Sequence, residues 1–104
     1  EGLIAHAAHH AMQGLAPMSC AVSVEIIATM PIPASWSAKK RQQALIGALH
    51  PTTKPDIDNI VKAIGDGCNA VVWDDDKQIV RVLGVKRYGS TPGLCVSVEQ
   101  VLLQ

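Results

Sequence analysis

Two short stretches hold the side chains best suited to chemistry: Lys54-Pro55-Asp56-Ile57-Asp58-Asn59-Ile60-Val61-Lys62 and Trp73-Asp74-Asp75-Asp76-Lys77. Together they carry five of the nine acidic residues. Carboxylates brought close together repel one another and favour protonation unless a cation sits among them. The residue types therefore point to a divalent-metal site. Carboxylate oxygens are hard ligands that suit magnesium, with manganese as the alternative, and such an ion keeps waters and takes substrate phosphate into its shell. Two aspartates, a lysine and a third carboxylate brought in from elsewhere are the parts of a phosphodiester-cleaving site. The same residues admit a plainer reading. An Asp at a helix start caps it and complements its dipole, and Asp58 with Lys62 matches an ordinary i,i+4 ion pair. The D-x-D pattern alone does not choose between them.

The elements that must position these groups are readable from periodicity. Pro55 biases Lys54 toward extended backbone, where residues two apart face the same way, so Asp56 and Asp58 are expected to aim at one point with Asp58 as the helix N-cap. From there Ile57, Ile60, Val61, Ile64, Cys68, Val71 and Val72 form an apolar stripe at helical spacing. Lys62 falls one turn after Asp58 on the same face, and Asn69 marks the helix end. Ahead of this, residues 2–13 read as a helix ending near Gly14. Met18 to Thr29 reads as a strand, with Cys20, Val22, Val24, Ile26 and Ala28 on its buried side, ended by Pro31 and Pro33. Ser35 and Ser37 can cap a helix running through Lys39, Lys40 and Arg41 to Ile46 and ending near Gly47. Its basic first turn opposes the helix dipole, which fits either phosphate contact or a plain exposed helix. Gln78–Tyr88 and a segment from Leu94 to about Leu103 read as two further strands, joined by the turn Gly89–Gly93 and expected to pair as a hairpin. The expected architecture is α+β, a small mixed sheet of about three strands packed against helices.

At 104 residues the chain is one domain, residues 1–104. Its 48% hydrophobic content includes no run near membrane-spanning length. No signal peptide is visible, and a start at Glu1 rather than Met suggests a trimmed or partial chain. Cys20, Cys68 and Cys95 fit neither a zinc spacing nor a disulfide framework, which suits a reducing cytoplasm. His6, His9 and His10 have metal-capable spacing but no acidic or cysteine partner, so a polar helix face is the expectation. Trp36 is expected to pack rather than to stack on a base, and His50 lies in a loop where it is expected to be incidental. Formal net charge is zero. With Asp56, Asp58, Asp75 and Asp76 engaged by metal, nine basic residues face five acidic ones. Lys39, Lys40, Arg41, Lys54, Lys62 and Lys77, with Arg81, Lys86 and Arg87, then supply phosphate contacts around an acidic centre, and binding becomes salt-sensitive and metal-assisted.

Taken in order, Lys54-Pro55-Asp56-Ile57-Asp58-Asn59-x-x-Lys62, then Asp66 and Asn69, then Val72-Trp73-Asp74-Asp75-Asp76-Lys77-Gln78-Ile79 resemble the core signature of the RusA family of Holliday junction resolvases. That signature reads approximately K/R-P/R-D-x-D-N-x-x-K, a D-A-L-N/T element, and W-x-D-D-x-Q-I/V. The resemblance implies a magnesium-dependent endodeoxyribonuclease that cuts four-way DNA junctions by paired phosphodiester hydrolysis. In this sequence it implies metal ligation by Asp56, Asp58 and Asp76, with Asp75 the other member of the family's acidic pair and Asp74 an extra residue. Lys62 would stabilise phosphate charge, Asn59 would orient a carboxylate, and Asp66 would position Lys62 through a salt bridge. A junction with two equivalent strands to cut matches a symmetric homodimer.

The chain departs from the family pattern in three places. Gly65 and Gly67 replace bulky apolar residues, each at a cost of about 1 kcal/mol relative to alanine in a helix interior. Ala70 stands where the family often has glycine. The strand and basic loop that usually precede the first helix are not seen, so some DNA-binding residues are expected to be missing and dimerisation to cover what that strand covers. Two rival readings follow: a junction-binding protein that no longer cleaves, and a small metal-binding structural or interaction domain.

Overall fold

The structure is a computed structural model that describes residues 2–102. In chain order it contains α1 (Gly2–Met12), β1 (Val22–Met30), α2 (Ala38–Leu45), α3 (Ile57–Cys68), a single 3₁₀ turn (Asp76–Gln78), β2 (Ile79–Tyr88) and β3 (Gly93–Gln100). This is an α+β arrangement around a three-stranded mixed sheet.

The apolar alternation of β1 decides the architecture. Val22, Val24, Ile26 and Ala28 are all buried, while Ser23, Glu25, Ile27 and Thr29 between them are half-buried. On the buried side they meet Ala8 of α1, Ile60, Ile64 and Cys68 of α3, and Val72 and Trp73. Burying a Val or Ile side chain contributes about 1.5–3 kcal/mol, so the strand with the longest such run takes the centre. The sheet order is β2-β1-β3, with β1 parallel to β2 and antiparallel to β3.

The expected β2–β3 hairpin does not form, because β1 lies between the two strands. Residues 89–92 instead cross over the end of β1, where the Gly89 amide donates to the Met30 carbonyl at 3.2 Å. A Cβ on Gly89 would collide with the Thr29 side chain, so the crossing needs glycine. The parallel β1–β2 pair requires a long crossover, and residues 31–78 supply it with α2 and α3. β1 also starts later than its alternation suggests. Gln78 Nε2 donates to the Met18 and Cys20 carbonyls at 2.8 Å each, taking them out of the strand ladder. The end of the last strand expected near Leu103 lies outside the described residues; β3 closes at Gln100.

The helices follow their caps. α2 is capped by Ser37, whose hydroxyl accepts from the Lys40 amide at 3.2 Å, and ends before Gly47 in a left-handed conformation at φ 85°. Gly67 lets α1 sit directly on α3, since a Cβ there would overlap the Ile4 side chain. Its propensity cost is the condition for this helix pair. An apolar groove of about 370 Å³ lies between α1, α3 and β3, and its lining carries no charged side chain. Trp36 packs edge-on against Tyr88 at 5.3 Å between centroids.

Candidate nuclease site

α3 begins one step earlier than expected. Asp56 is the N-cap, with extended φ −70° and ψ 149°, and makes no side-chain capping bond, so its carboxylate is uncommitted. Asp58 falls inside the first turn, where its Oδ1 accepts from the Asn59 amide at 3.1 Å. The two carboxylates therefore do not share an extended strand face. Both sit at the positive end of the helix dipole, which favours negative charge there. The loop before them is tied to β2 by Lys86, whose Nζ donates to the Thr53 carbonyl at 2.6 Å.

Along α3, Asp58, Lys62, Gly65 and Asn69 recur at i, i+4, i+7 and i+11 and line one face. Asp76 approaches this face from the acidic turn. Its Oδ2 would lie 3.6 Å from a Cβ at Gly65. Its Oδ1 accepts a 2.7 Å bond from the Trp73 indole N–H, and its backbone amide donates to Asn69 Oδ1 at 3.0 Å. Trp73 is completely buried, so this carboxylate is fixed from the core outward. The Gly65 level is about 10 Å along the helix from Asp58 at 1.5 Å per residue, with Lys62 between them.

The acidic run divides its work. Asp75 caps the 3₁₀ turn: Oδ1 accepts from the Lys77 amide at 2.9 Å, and its own amide donates to Gln78 Oε1 at 2.7 Å. Asp76 faces α3, and Asp74 is exposed. Cys68 lies close enough to be affected: burial pushes its thiol above the ordinary value of 9.0, and the Asp76 carboxylate adds to the rise.

Among the described residues, the only ion pair is Arg81–Glu25 at 3.2 Å. Lys62 therefore pairs with neither Asp58 nor Asp66, and the salt bridge expected from Asp66 is absent. The Asn59 side chain makes no hydrogen bond to a carboxylate; its backbone does. Among the basic candidates, Lys40 lies over the Trp36 ring at 4.1 Å, and Arg41 donates to the Pro33 and Ile32 carbonyls at 3.0 and 3.5 Å. Lys39, Lys54, Lys62 and Lys77 are exposed and form no such contact. His6, His9 and His10 are exposed on α1.

Among the described residues, no three His, Cys, Asp or Glu side chains converge on one point. The donor chemistry nonetheless fits a hard divalent ion. Asp56, one oxygen of Asp58 and Oδ2 of Asp76 face no protein cation, and magnesium is usually held by one or two carboxylates with water and phosphate completing the shell. The sequence singles out Trp73, Asn69 and Gln78 as parts of the family-like signature and Lys86 as a phosphate contact, but not their roles as the scaffold of this site.

Comparison with known proteins gives the family of the chain. The family described as Endodeoxyribonuclease RusA matches residues 1–99. A relative in Bacillus subtilis (strain 168), the uncharacterized protein YqaN, is 35% identical over 95 residues, which is 91% of this chain and 67% of that protein. Among the described residues no helix is long and apolar enough to cross a membrane. With the family match spanning nearly the whole chain, this protein belongs to the RusA endodeoxyribonuclease family.

Proposed function

We propose that this protein is a magnesium-dependent endonuclease, with manganese as an alternative ion, that resolves four-way Holliday junctions as a cytoplasmic homodimer. The observation that carries this reading is Asp76, clamped by Trp73 and Asn69 against the α3 face that also bears Asp58 and Lys62. Asp56, Asp58 and Asp76 would supply the carboxylates of the metal site, with water and substrate phosphate spanning the roughly 10 Å between the Asp58 and Gly65 levels; Asp75 is occupied with its cap. When bound, a divalent cation polarises the scissile phosphate and makes a neighbouring water more acidic. Lys62, between the carboxylates and free of any ion pair, meets charge that builds on the phosphate in the transition state. Lys54, Lys39 and Lys77 contact flanking phosphates, whereas Lys40 and Arg41 serve first as braces of the α2 entry. Two copies related by a two-fold axis match the two equivalent strands of a junction. Three free cysteines suit a reducing compartment.

The test is cleavage of a labelled synthetic four-way junction against linear duplex, with magnesium, manganese or chelator. Wild type should give paired symmetric nicks that need the metal. Asp58→Asn and Asp76→Asn should lose cutting by at least a hundredfold and still bind the junction, because the basic contacts remain. Misfolding of both variants would instead make these aspartates structural. One observation favours a second reading: the acidic side chains do not converge among the described residues, as suits a junction-binding protein without cleavage. Tight junction binding with no nicks under either metal would establish that reading.

A further inference from the structure

Lys86 stands at an unusual place for a charge. The β1–β2 register sets it opposite Ala28, on the sheet face where Val22, Val24, Ile26 and Ala28 are buried. The residue is half-buried and, among the described residues, forms no ion pair. A lysine turned toward an apolar face needs a polar partner. Here the partner is the backbone of the loop ahead of α3, since Nζ donates to the Thr53 carbonyl at 2.6 Å. Residues 52–59 of that stretch, Lys54, Asp56 and Asp58 included, are all exposed, with buried Pro51 and Ile60 on either side. Among the described residues, the bond from Lys86 is the only hydrogen bond made by residues 49–55.

From this geometry we infer that Lys86 is a positioning residue: it pins the loop at Thr53 to β2 and so sets where α3 begins and where Asp56 and Asp58 stand for a bound phosphodiester. The inference rests on the nuclease reading of those aspartates. Asp56 follows Thr53 by three residues, and Pro55 between them has a fixed φ, so little slack separates the tether from the carboxylate. The Asp56 side chain makes no capping bond; its place depends on the backbone. This role differs from phosphate contact, because the ammonium is committed to the chain's own carbonyl.

The experiment compares wild type, Lys86→Met, Lys86→Arg and Asp58→Asn in single-turnover cleavage of a four-way junction with magnesium, in junction affinity across a salt series, and in amide hydrogen exchange. Lys86→Met keeps the apolar stem and loses the donor. It should slow cutting about tenfold or more, as small misplacements of reacting groups do, while the slope of log affinity against log salt stays that of wild type. The Ile60 amide, which donates to the Asp56 carbonyl at 3.1 Å, should exchange several-fold faster while the amides of β1 keep their protection. Lys86→Arg, which retains a donor on a long stem, should recover most of the cutting. A lysine that contacts phosphate would instead reduce the salt slope by about one unit on loss of its charge, and that result overturns the inference. Unchanged Ile60 exchange in Lys86→Met overturns it as well, without recourse to cutting. If Lys86→Met cuts as wild type does while Asp58→Asn does not cut, the inference alone fails. If wild type makes no nicks, or Asp58→Asn cuts as wild type does, the nuclease reading fails and the positioning role fails with it.

Discussion

Several residues that look like defects in the sequence have local causes. Gly67 is the clearest, because the α1–α3 contact leaves no room for a methyl group. Ala70 is the opposite case. It sits at φ 65° in the left-handed region, where a glycine would be at ease and an alanine is strained by roughly 1–2 kcal/mol. Ala70→Gly should therefore stabilise the protein by about 1 kcal/mol after the entropy of the added glycine is deducted, read as a raised midpoint in urea. Cys68 supports a second prediction. Burial first and Asp76 second raise its thiol above 9.0, so the folded state holds this proton more tightly than the unfolded state does. Its contribution is fully present below the unfolded value and is lost as pH rises through the folded one. In chelator, stability should fall as pH climbs past about 9, and less so in Cys68→Ala. A thiol-reactive probe at pH 8 should label exposed Cys95 well before buried Cys68. Equal labelling rates would mean that α3 opens freely from the core.

At the level of elements, the sequence was legible wherever a single periodicity dominated. The four buried residues of β1, the caps at Ser37 and Gly47, and α3 with its stripe from Ile57 to Cys68 all follow from local pattern. Pairing was not legible in the same way. A four-residue turn between two strands normally signals a hairpin, but that rule knows nothing of a third strand with a stronger apolar face. β1 displaced the hairpin because both edge strands gain more by flanking it. The candidate site shows the same division. Asp56, Asp58 and Lys62 stand out by type and spacing and Asp76 only through the family resemblance, whereas the Trp73 and Asn69 bonds to Asp76 depend on how the turn after α3 folds back. The α1–α3 contact offers a check at this scale. Gly67→Ala should cost about 1–3 kcal/mol by overpacking against Ile4, and pairing it with Ile4→Ala should recover part of that loss. Additive losses in the double variant would show that the two helices do not meet at this point.

The whole molecule is thin, with a radius of gyration of 15.8 Å against roughly 13 Å for a compact domain of 100 residues. Apolar Leu83, Val85 and Leu94 remain exposed on its strands. Such a shape accords with a protomer that gains from association, and its charge decides how it meets DNA. With nine basic and nine acidic residues the chain has no net pull on a polyanion. In the proposed site, attraction from the exposed lysines would have to overcome repulsion between the carboxylates and the same phosphates. Adding a divalent cation removes the repulsion and leaves the attraction, so metal should tighten junction binding as well as permit cutting. The double variant Asp58→Asn/Asp76→Asn isolates this effect. Each charge removed near a phosphate relieves about 1 kcal/mol at contact distance in water, or about fivefold in affinity. In chelator the variant should therefore bind the junction more tightly than wild type. The gap should close when magnesium is added, because the wild-type carboxylates are then neutralised. The slope of log affinity against log salt should be the same for both proteins, since that slope counts basic contacts. If the variant binds more weakly in chelator, the carboxylates support the DNA-binding surface rather than oppose the phosphates, and the site must lie elsewhere on the molecule.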